Sequence, residues 1–266
     1  MAQLSERLVT CESSDRVQLL TLNCPQRRNA LHPDLISELS KRLSEIEADP
    51  NTVVVIVTGA GSSFCAGLDL FHLSTLNAAG RIEYLRVFFA LFSQIYYLKQ
   101  LIIAAVNGPA IAGGFDLAAA CDLRLCSRDA QFGQPEVLLG LTQLMYPIYK
   151  VIGLGRAIEL AFTGELISAD EAYRIGLVNR VHPAQQLLSE ALKLAELLAA
   201  RPKSALFATK KLSRELIETN TELAMKAMLT TICDRLSSEE HKRALEQYIQ
   251  GRLKTAGDRK TPRAEE

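Results

Sequence analysis

The sequence is poor in features that recruit nucleic acids or membranes. Its 266 residues contain no tryptophan, and 30 basic side chains balance 30 acidic ones, so the formal net charge is zero. A neutral balance gives no long-range attraction to nucleic acid or to an anionic membrane surface. The longest apolar runs, such as residues 101–106, are far shorter than the ~20 residues that cross a bilayer. We therefore expect neither a nucleic-acid nor a membrane partner.

The cysteines and histidines form no metal-binding pattern. Six cysteines are present without a C-x-x-C pair, and the four histidines are scattered along the chain. A zinc site is therefore not expected, and no metal is predicted. Reduced, mostly buried cysteines are typical of the cytosol, and residues 1–10 lack the apolar core of a secretory signal. These features predict a cytoplasmic protein.

Two common phosphate-binding patterns are also missing. In VVVIVTGAGSSFCAG, residues 53–67, a glycine turn follows an apolar run, but Phe64 replaces the third glycine of G-x-G-x-x-G. The phosphate loop G-x-x-x-x-G-K-[ST] does not occur. The first observation argues against a dinucleotide-binding protein, and the second argues against a P-loop NTPase.

The pattern that is present alternates apolar strands with amphipathic helices. Hydrophobic residues make up 48% of the chain and charged residues 23%, as in a soluble globular protein. Strands are predicted at 8–11, 17–22, 52–59, 101–108 and 122–127. Helices are predicted at 33–49, 81–100 and 114–121. This alternation predicts a layered α/β core.

After about residue 143 the sequence becomes mainly helical, with one short strand near 177–181. Helices are predicted at 183–201, 204–218 and 238–249. With a boundary near 195–200, residues 1–197 form the α/β core and residues 198–266 a helical C-terminal region. Its polar tail, 254–266, is expected to be disordered.

Two glycine turns share one arrangement. SSFCAGLDL (62–70) and AIAGGFDLA (110–118) each follow an apolar strand, contain glycine and lead into a helical segment with an acid near its start. The start of a helix has free backbone N–H groups at the positive end of its dipole. Two such turns that face one another would direct two amides at one point. That arrangement is an oxyanion hole, which stabilises a carbonyl oxygen gaining negative charge.

Five segments, in order and in register, resemble the enoyl-CoA hydratase/isomerase family, the crotonase superfamily. They are CPQRRNAL (24–31), FCAGLDL (64–70), NGPAIAGGFDLAAACDLRL (107–125), FGQPEVLLGL (132–141) and FTGELISADEAYRIGLVNRV (162–181). The resemblance implies a crotonase-like fold, a spiral of strand-strand-helix units. It also implies an acyl-CoA thioester substrate, no separate cofactor, and a C-terminal region that assembles homotrimers or dimers of trimers.

The resemblance also assigns the site residues. The oxyanion donors are the backbone amides of Leu68 and Gly113, and the carboxylates are Asp116 and Glu136. The family's hydratases usually carry glutamate at both acid positions, so Asp116 is one methylene shorter. Residues expected to bind coenzyme A are Arg28, Ala66, Gly67, Asp69 and Leu70. Burial beside an apolar acyl site is expected to raise the pKa of both acids.

Structural interpretations stand beside the catalytic ones. Asp116 is well placed to cap the helix that starts at residue 114, and Glu136 to be an exposed turn acid. The Asp69 side chain is expected to hold its own turn. Tyr146 and Tyr149 replace a glycine-rich turn of the family's hydratases, and they either reshape the acyl site or pack as core.

The favoured reaction is syn hydration of a 2-enoyl-CoA, with Glu136 as the main acid/base and Asp116 holding or activating the water. Δ3-Δ2-enoyl-CoA isomerisation by Glu136 alone, decarboxylation and retro-aldol cleavage are the enzymatic alternatives. A non-enzymatic alternative is an acyl-CoA-binding subunit that has lost activity. Dienoyl-CoA isomerisation loses support because Leu144 stands about where similar isomerases carry a further aspartate.

Overall fold

The structure is a computed structural model that describes residues 7–142 and 146–216, together with Glu239 and Arg243. The chain divides into two compact units, Met1–Ala199 and Ala200–Glu266. Several predictions from the sequence lie outside the described residues. They are Leu144, the end of the helix at 204–218, most of the helix at 238–249, and the tail at 254–266.

The strands belong to the first unit and are mostly short. They are β1 (Val9–Ser14), β2 (Val17–Leu22), β3 (Val54–Gly59), β4 (Leu101–Val106), β5 (Ala110–Ile111), β6 (Leu123–Ser127), β7 (Gln131–Gly133), β8 (Ile167–Ser168) and β9 (Arg180–His182). β3 is buried at every residue, because it lies in the middle of its sheet. This explains its continuous β-branched sequence.

The helices of the first unit alternate with these strands. They are α1 (Pro33–Ala48), α2 (Leu70–Thr75), α3 (Ala78–Tyr97), α4 (Gly113–Ala120), α5 (Ile148–Ile152), α6 (Leu154–Thr163), α7 (Ala169–Arg174) and α8 (Ala184–Ala199). The second unit contains α9 (Lys203–Leu216). Among the described residues, no helix combines the length and the apolar character needed to cross a membrane.

Two sheets organise the first unit. The larger has the order β1-β2-β3-β4-β6-β9, in which only the β1–β2 pair is antiparallel. The smaller has the order β5-β7-β8, with β5 and β7 parallel and β7 and β8 antiparallel. The predicted α/β class is confirmed. β5, β7 and β8 were not predicted, because two or three residues carry no readable periodicity.

The parallel strands determine where the two glycine turns lie. β3 and β4 are neighbours, with Val54 opposite Leu101, so both strands end at the same edge of the sheet. The turn before α2 follows β3, and the turn before α4 follows β4. In open parallel sheets, ligands bind beyond this edge.

The cysteines give no disulfide within the described residues. Cys11, Cys24, Cys65, Cys121 and Cys126 are free thiols, and all but Cys11 are buried. This agrees with the expectation of reduced, mostly buried cysteines.

Candidate active site

The two glycine turns are joined directly by backbone contacts. Cys65 and Ala110 form a parallel β-bridge, and the Ile111 amide donates to the Cys65 carbonyl at 3.0 Å. Gly114 fits against this bridge only because it has no side chain. A Cβ added at Gly114 would lie 2.0 Å from the Cys65 carbonyl oxygen. The absence of a side chain at Gly114 therefore allows the two turns to approach each other closely.

The Leu68 amide is directed by the peptide group to which it belongs. Leu31 and Leu68 form a parallel bridge, in which the Leu31 amide donates to the Gly67 carbonyl at 2.8 Å. A trans peptide points its C=O and N–H groups in opposite directions. The Leu68 N–H therefore points away from Leu31, and it donates no hydrogen bond within the described part of the chain.

The Gly113 amide lies against the same turn. Gly113 is the first residue of α4, so its N–H has no acceptor inside the helix, and it donates to no other described residue. A Cβ added at Gly67 would lie 2.9 Å from the Gly113 nitrogen. Leu68 and Gly113 both line one cavity. Two amide donors that have no acceptor among the described residues thus belong to the same wall.

Ala112, the residue before α4, has a strained backbone conformation. Its φ of 53° and ψ of −127° lie in a region that non-glycine residues rarely occupy. Such a conformation costs on the order of 1–3 kcal/mol and persists where the surroundings enforce it. Here the Ala112 amide donates to the Gly133 carbonyl at 2.8 Å. The strain lies directly before the Gly113 amide, which is consistent with a functional turn.

Asp116 is a buried acid of the same cavity. It lies on α4 and is 3% exposed, and the Gln134 side-chain amide donates to its Oδ1 at 2.7 Å. Burial raises the pKa of Asp116 well above its ordinary value, and the nearby charge of Glu136 raises it further. The hydrogen bond from Gln134 opposes this shift without cancelling it. The carboxyl therefore tends to keep its proton.

Glu136 is the second acid of the cavity. It lies in the 3₁₀ helix Pro135–Leu139 and is half-buried. Its Oε2 atom is buried and has no hydrogen-bond partner among the described residues. Burial raises the pKa of Glu136 above its ordinary value, although less strongly than that of Asp116. Glu136 itself lines the cavity, so its carboxyl group belongs to the site.

The cavity has a volume of about 420 Å³ and is mostly apolar. Its walls include Leu73, Leu85, Phe88, Phe89, Leu139 and Leu141. Asp116 and Glu136 line it together with Leu68 and Gly113. An apolar cavity with a few polar groups is typical of a small-molecule site. Within the described residues, no cluster of histidine, cysteine and acidic side chains could hold a metal ion.

The residues expected to bind coenzyme A lie at or next to this wall. Ala66 and Leu70 line the cavity, and the Ala66 amide donates to the Arg28 carbonyl at 3.0 Å. Arg28 is exposed and adopts a left-handed backbone with φ of 52°. Gly67 follows Ala66 directly and also has a positive φ, 85°. Arg28 is thus brought to the glycine turn although it is distant in sequence.

The Asp69 carboxylate is engaged within the protein. Its Oδ1 accepts the His72 amide at 3.0 Å and caps α2, and its Oδ2 pairs with Arg27 at 3.0 Å. This matches the expectation that Asp69 holds its own turn, because both carboxylate oxygens are used inside the protein. The Arg27 pairing was not predicted, because it joins residues 42 positions apart.

Tyr146 and Tyr149 pack against the hydrophobic core rather than lining the cavity. The Tyr146 ring lies 5.6 Å from the Tyr96 ring, and their hydroxyl oxygens are 2.8 Å apart. Of the two interpretations of these tyrosines, the structure favours core packing. Gln134 was missed from the sequence, although its place two residues before Glu136 was a possible signal.

The first unit is thus an α/β fold in which two backbone amide donors and two carboxyl groups surround one apolar cavity. The sequence model of a protein family described as enoyl-CoA hydratase/isomerase matches residues 12–255 of this chain. The chain belongs to this family.

Individual relatives agree with this assignment. The chain is 34% identical over 248 residues to a short-chain-enoyl-CoA hydratase of Clostridium acetobutylicum, an alignment that covers 92% of this chain and 95% of that protein. It is 32% identical over the same share of each chain to a crotonyl-CoA hydratase of Syntrophomonas wolfei. The crystal structure of an enoyl-CoA hydratase from Bacillus anthracis matches with a TM-score of 0.90 at 29% identity, covering 92% of this chain and 97% of that one. The predicted crotonase-like fold is confirmed.

Proposed function

We propose that this protein is an enoyl-CoA hydratase, a lyase that adds water across the 2,3 double bond of a 2-enoyl-CoA to give a 3-hydroxyacyl-CoA. The observation that carries the proposal is the shared cavity, which is lined by Leu68, Gly113, Asp116 and Glu136; the first two have amides with no acceptor in the described part of the chain. The relatives named as hydratases support the same reaction.

The oxyanion donors act on the thioester carbonyl. The Leu68 and Gly113 amides bind the thioester oxygen, and this polarises the conjugated double bond. As water adds to C3, the electron pair of the double bond moves toward that oxygen and forms an enolate. Losing one donor of this kind commonly costs roughly 3 kcal/mol of transition-state stabilisation.

Glu136 transfers the protons. Its ionised carboxylate takes a proton from water while the water oxygen bonds to C3, and it returns that proton to C2 as the enolate collapses. The elements of water are thereby added without a net change at the protein. Because its pKa is raised by burial, Glu136 is a stronger base than an exposed glutamate. Positioned acid/base groups typically accelerate such steps ~10²–10⁴-fold.

Asp116 holds the attacking water. The raised pKa of this buried carboxyl favours its protonated form, which can donate a hydrogen bond to the water oxygen. Gln134 fixes one of its oxygens at 2.7 Å. The Asp116 side chain, which is one methylene shorter than glutamate, is thus held in position by Gln134.

Coenzyme A enters as part of the substrate, and the proposed mechanism requires neither a metal nor a separate cofactor. The exposed Arg28 guanidinium binds the phosphates, while the turn formed by Ala66, Gly67, Asp69 and Leu70 contacts the remaining arm through backbone groups. The Asp69 carboxylate takes no part in this contact, because it is engaged with Arg27.

The proposal extends to assembly and location. The C-terminal region, residues 198–266, which the sequence predicts to be helical, joins the chains into a homotrimer or a dimer of trimers in the cytoplasm. The family resemblance supports the assembly, and the reduced, mostly buried cysteines support the location. Light scattering on the purified protein tests the oligomeric state.

The reaction is tested by mixing the purified protein with crotonyl-CoA. We expect the absorbance of the conjugated thioester to fall and the product to gain the mass of one water molecule. Glu136→Gln removes the base and is expected to lower kcat by ~10²–10⁴-fold. Glu165→Gln, at an exposed glutamate, is the matched control and is expected to retain activity. Unchanged hydration by Glu136→Gln would exclude the mechanism.

A further inference from the structure

The cavity is larger than a four-carbon acyl group requires. Its volume is about 420 Å³. A crotonyl group has five heavy atoms, and at roughly 30 Å³ for each, the share of a water molecule, it needs about 150 Å³. The remaining space accommodates the thiol end of the pantetheine arm and several further methylene groups.

The chemistry of the walls selects an uncharged chain. Among the described lining residues, the ionisable side chains are Asp116 and Glu136, and no basic side chain is present. An acyl group that ends in a carboxylate would meet two acids and find no cation to pair with, which is costly away from water. A hydrocarbon chain meets apolar walls instead.

Part of this apolar wall is open to solvent. Leu70, Leu85 and Phe89 line the cavity, yet they are 53%, 41% and 45% exposed. A chain that extends beyond the reacting carbons would cover these side chains. Each methylene buried in this way contributes up to ~0.8 kcal/mol, or about fourfold in affinity.

We propose, on the basis of the proposed hydratase function, that the preferred substrate is an uncharged aliphatic 2-enoyl-CoA with more than four acyl carbons. The α3 residues Leu85 and Phe89 then form the side of the site that recognises the chain. This separates the protein in specificity from relatives named for crotonyl-CoA and for short chains.

The test is a series of straight 2-enoyl-CoA substrates with four, six, eight and ten carbons, and one of eight carbons that ends in a carboxylate. We expect kcat/KM to rise from four carbons toward eight, by up to about fourfold per methylene, and to be lowest for the carboxylate. If hydration is fastest with the four-carbon substrate, the proposed preference for longer chains is wrong, but the proposed hydratase function stands. Hydration of none of them would overturn both.

A pair of variants tests where the acyl chain of the substrate binds. Leu85→Trp fills the open side of the cavity and is expected to lower kcat/KM for eight and ten carbons by about tenfold or more relative to kcat/KM for crotonyl-CoA. Val87→Trp is the matched control, because Val87 is exposed on the same helix but does not line the cavity. An equal effect of Leu85→Trp on all chain lengths would contradict the placement.

A separate observation concerns Tyr84, a buried residue of α3. Its hydroxyl donates to the Leu31 carbonyl at 2.5 Å and accepts the Asp69 amide at 2.9 Å. Leu31 also donates to the Gly67 carbonyl at 2.8 Å. Both peptide groups of Leu68 are therefore tied to Leu31, one directly and the other through the Tyr84 hydroxyl.

This bridge fixes the direction of the Leu68 amide. The Gly67 carbonyl and the Leu68 N–H share one peptide plane, and the next plane is held by the Asp69 amide on Tyr84. Burial raises the pKa of Tyr84 to about 12, so the hydroxyl keeps the proton that it donates to Leu31. We propose that Tyr84 is a positioning residue for the oxyanion hole.

Tyr84→Phe tests this role. We expect kcat to fall by about tenfold or more with KM nearly unchanged, because the donor acts mainly in the transition state. The infrared carbonyl stretch of a bound thioester is expected to move to higher wavenumber, since the carbonyl is less polarised. Tyr97→Phe, at the exposed end of the same helix, is the matched control. Tyr84→Phe with wild-type kcat and carbonyl stretch would overturn the proposal.

Discussion

The Gln134 side-chain amide donates a 2.7 Å hydrogen bond to Asp116 Oδ1, and this bond couples the two acids of the site. Gln134 stands two residues before Glu136 in the same short segment, whereas Asp116 lies on α4. The segment that carries one acid thus orients the other. The positions of the two carboxyl groups are consequently interdependent.

The first prediction concerns the pH dependence of hydration. Burial raises the pKa of Glu136 above its ordinary value of 4.5, and the base must be ionised to accept a proton from water. We therefore expect kcat/KM to fall as the pH decreases, with a midpoint above 4.5. The measurement is a pH–rate profile with crotonyl-CoA. A profile that stays flat down to the ordinary glutamate value would contradict the role of Glu136.

The second prediction separates hydration from isomerisation. Asp116→Ala removes the carboxyl group that donates to the water, and no other polar atom takes its place at this position. If Asp116 holds the water, hydration is expected to fall by about 10²-fold or more. A single-base Δ3-Δ2 isomerisation by Glu136 would survive the change. Assaying the variant with a 2-enoyl-CoA and a 3-enoyl-CoA distinguishes the two reactions.

The third prediction concerns stability. Because the pKa of Asp116 is raised in the folded state, the folded protein holds a proton that the unfolded chain releases above about 3.9. The free energy of unfolding therefore decreases as the pH rises from there through the raised pKa. Because asparagine does not titrate, Asp116→Asn is expected to remove this decrease in the free energy of unfolding. The decrease is about 1.4 kcal/mol for each pH unit by which folding raises the pKa of Asp116.

Urea unfolding of both proteins at acidic and neutral pH measures this difference. Asp116→Asn is expected to match the wild type in acid and to exceed its stability at neutral pH. Asp129→Asn, at an exposed turn, serves as the control for the loss of one carboxylate. Equal stability of Asp116→Asn and the wild type at both pH values would show that Asp116 carries no burial penalty.

The fourth prediction concerns the contact between the turns. In Gly114→Ala, the new Cβ would lie 2.0 Å from the Cys65 carbonyl oxygen, so the turns must separate. We expect a loss of about 1–3 kcal/mol or more in the free energy of unfolding, together with a loss of activity. Gly155→Ala is the control, because α6 leaves its Cβ without a described atom within 4 Å. That change is expected to stabilise the protein by about 0.5–1 kcal/mol.

The long buried elements could be predicted from the sequence. Continuous β-branched runs indicated β3 and β4 to within two residues, and the apolar stripe of α1 indicated that helix. The bridging strands β5 and β7 could not be predicted, because two or three residues have no measurable period. These strands bring Ala112 against Gly133 and so close the turn before α4. This contact joins residues that are distant in the sequence.

The site itself was predictable only in part. The glycine turns and the two acids stand in recognisable motifs, and the structure brings them to one cavity. Tyr84 and Leu31, 53 residues apart, and Arg27 and Asp69, 42 apart, are joined only by folding. The supporting contacts of a site depend on such long-range pairs, and local patterns do not reveal them.

The most direct test is a crystal structure of the protein with a bound 3-hydroxyacyl-CoA. The central claim is that the Leu68 and Gly113 amides converge on the thioester oxygen. It predicts that oxygen at about 2.7–3.1 Å from both nitrogens, with the Glu136 carboxyl beside C2 and C3. A thioester oxygen that contacts neither amide would show that the glycine turns serve packing alone.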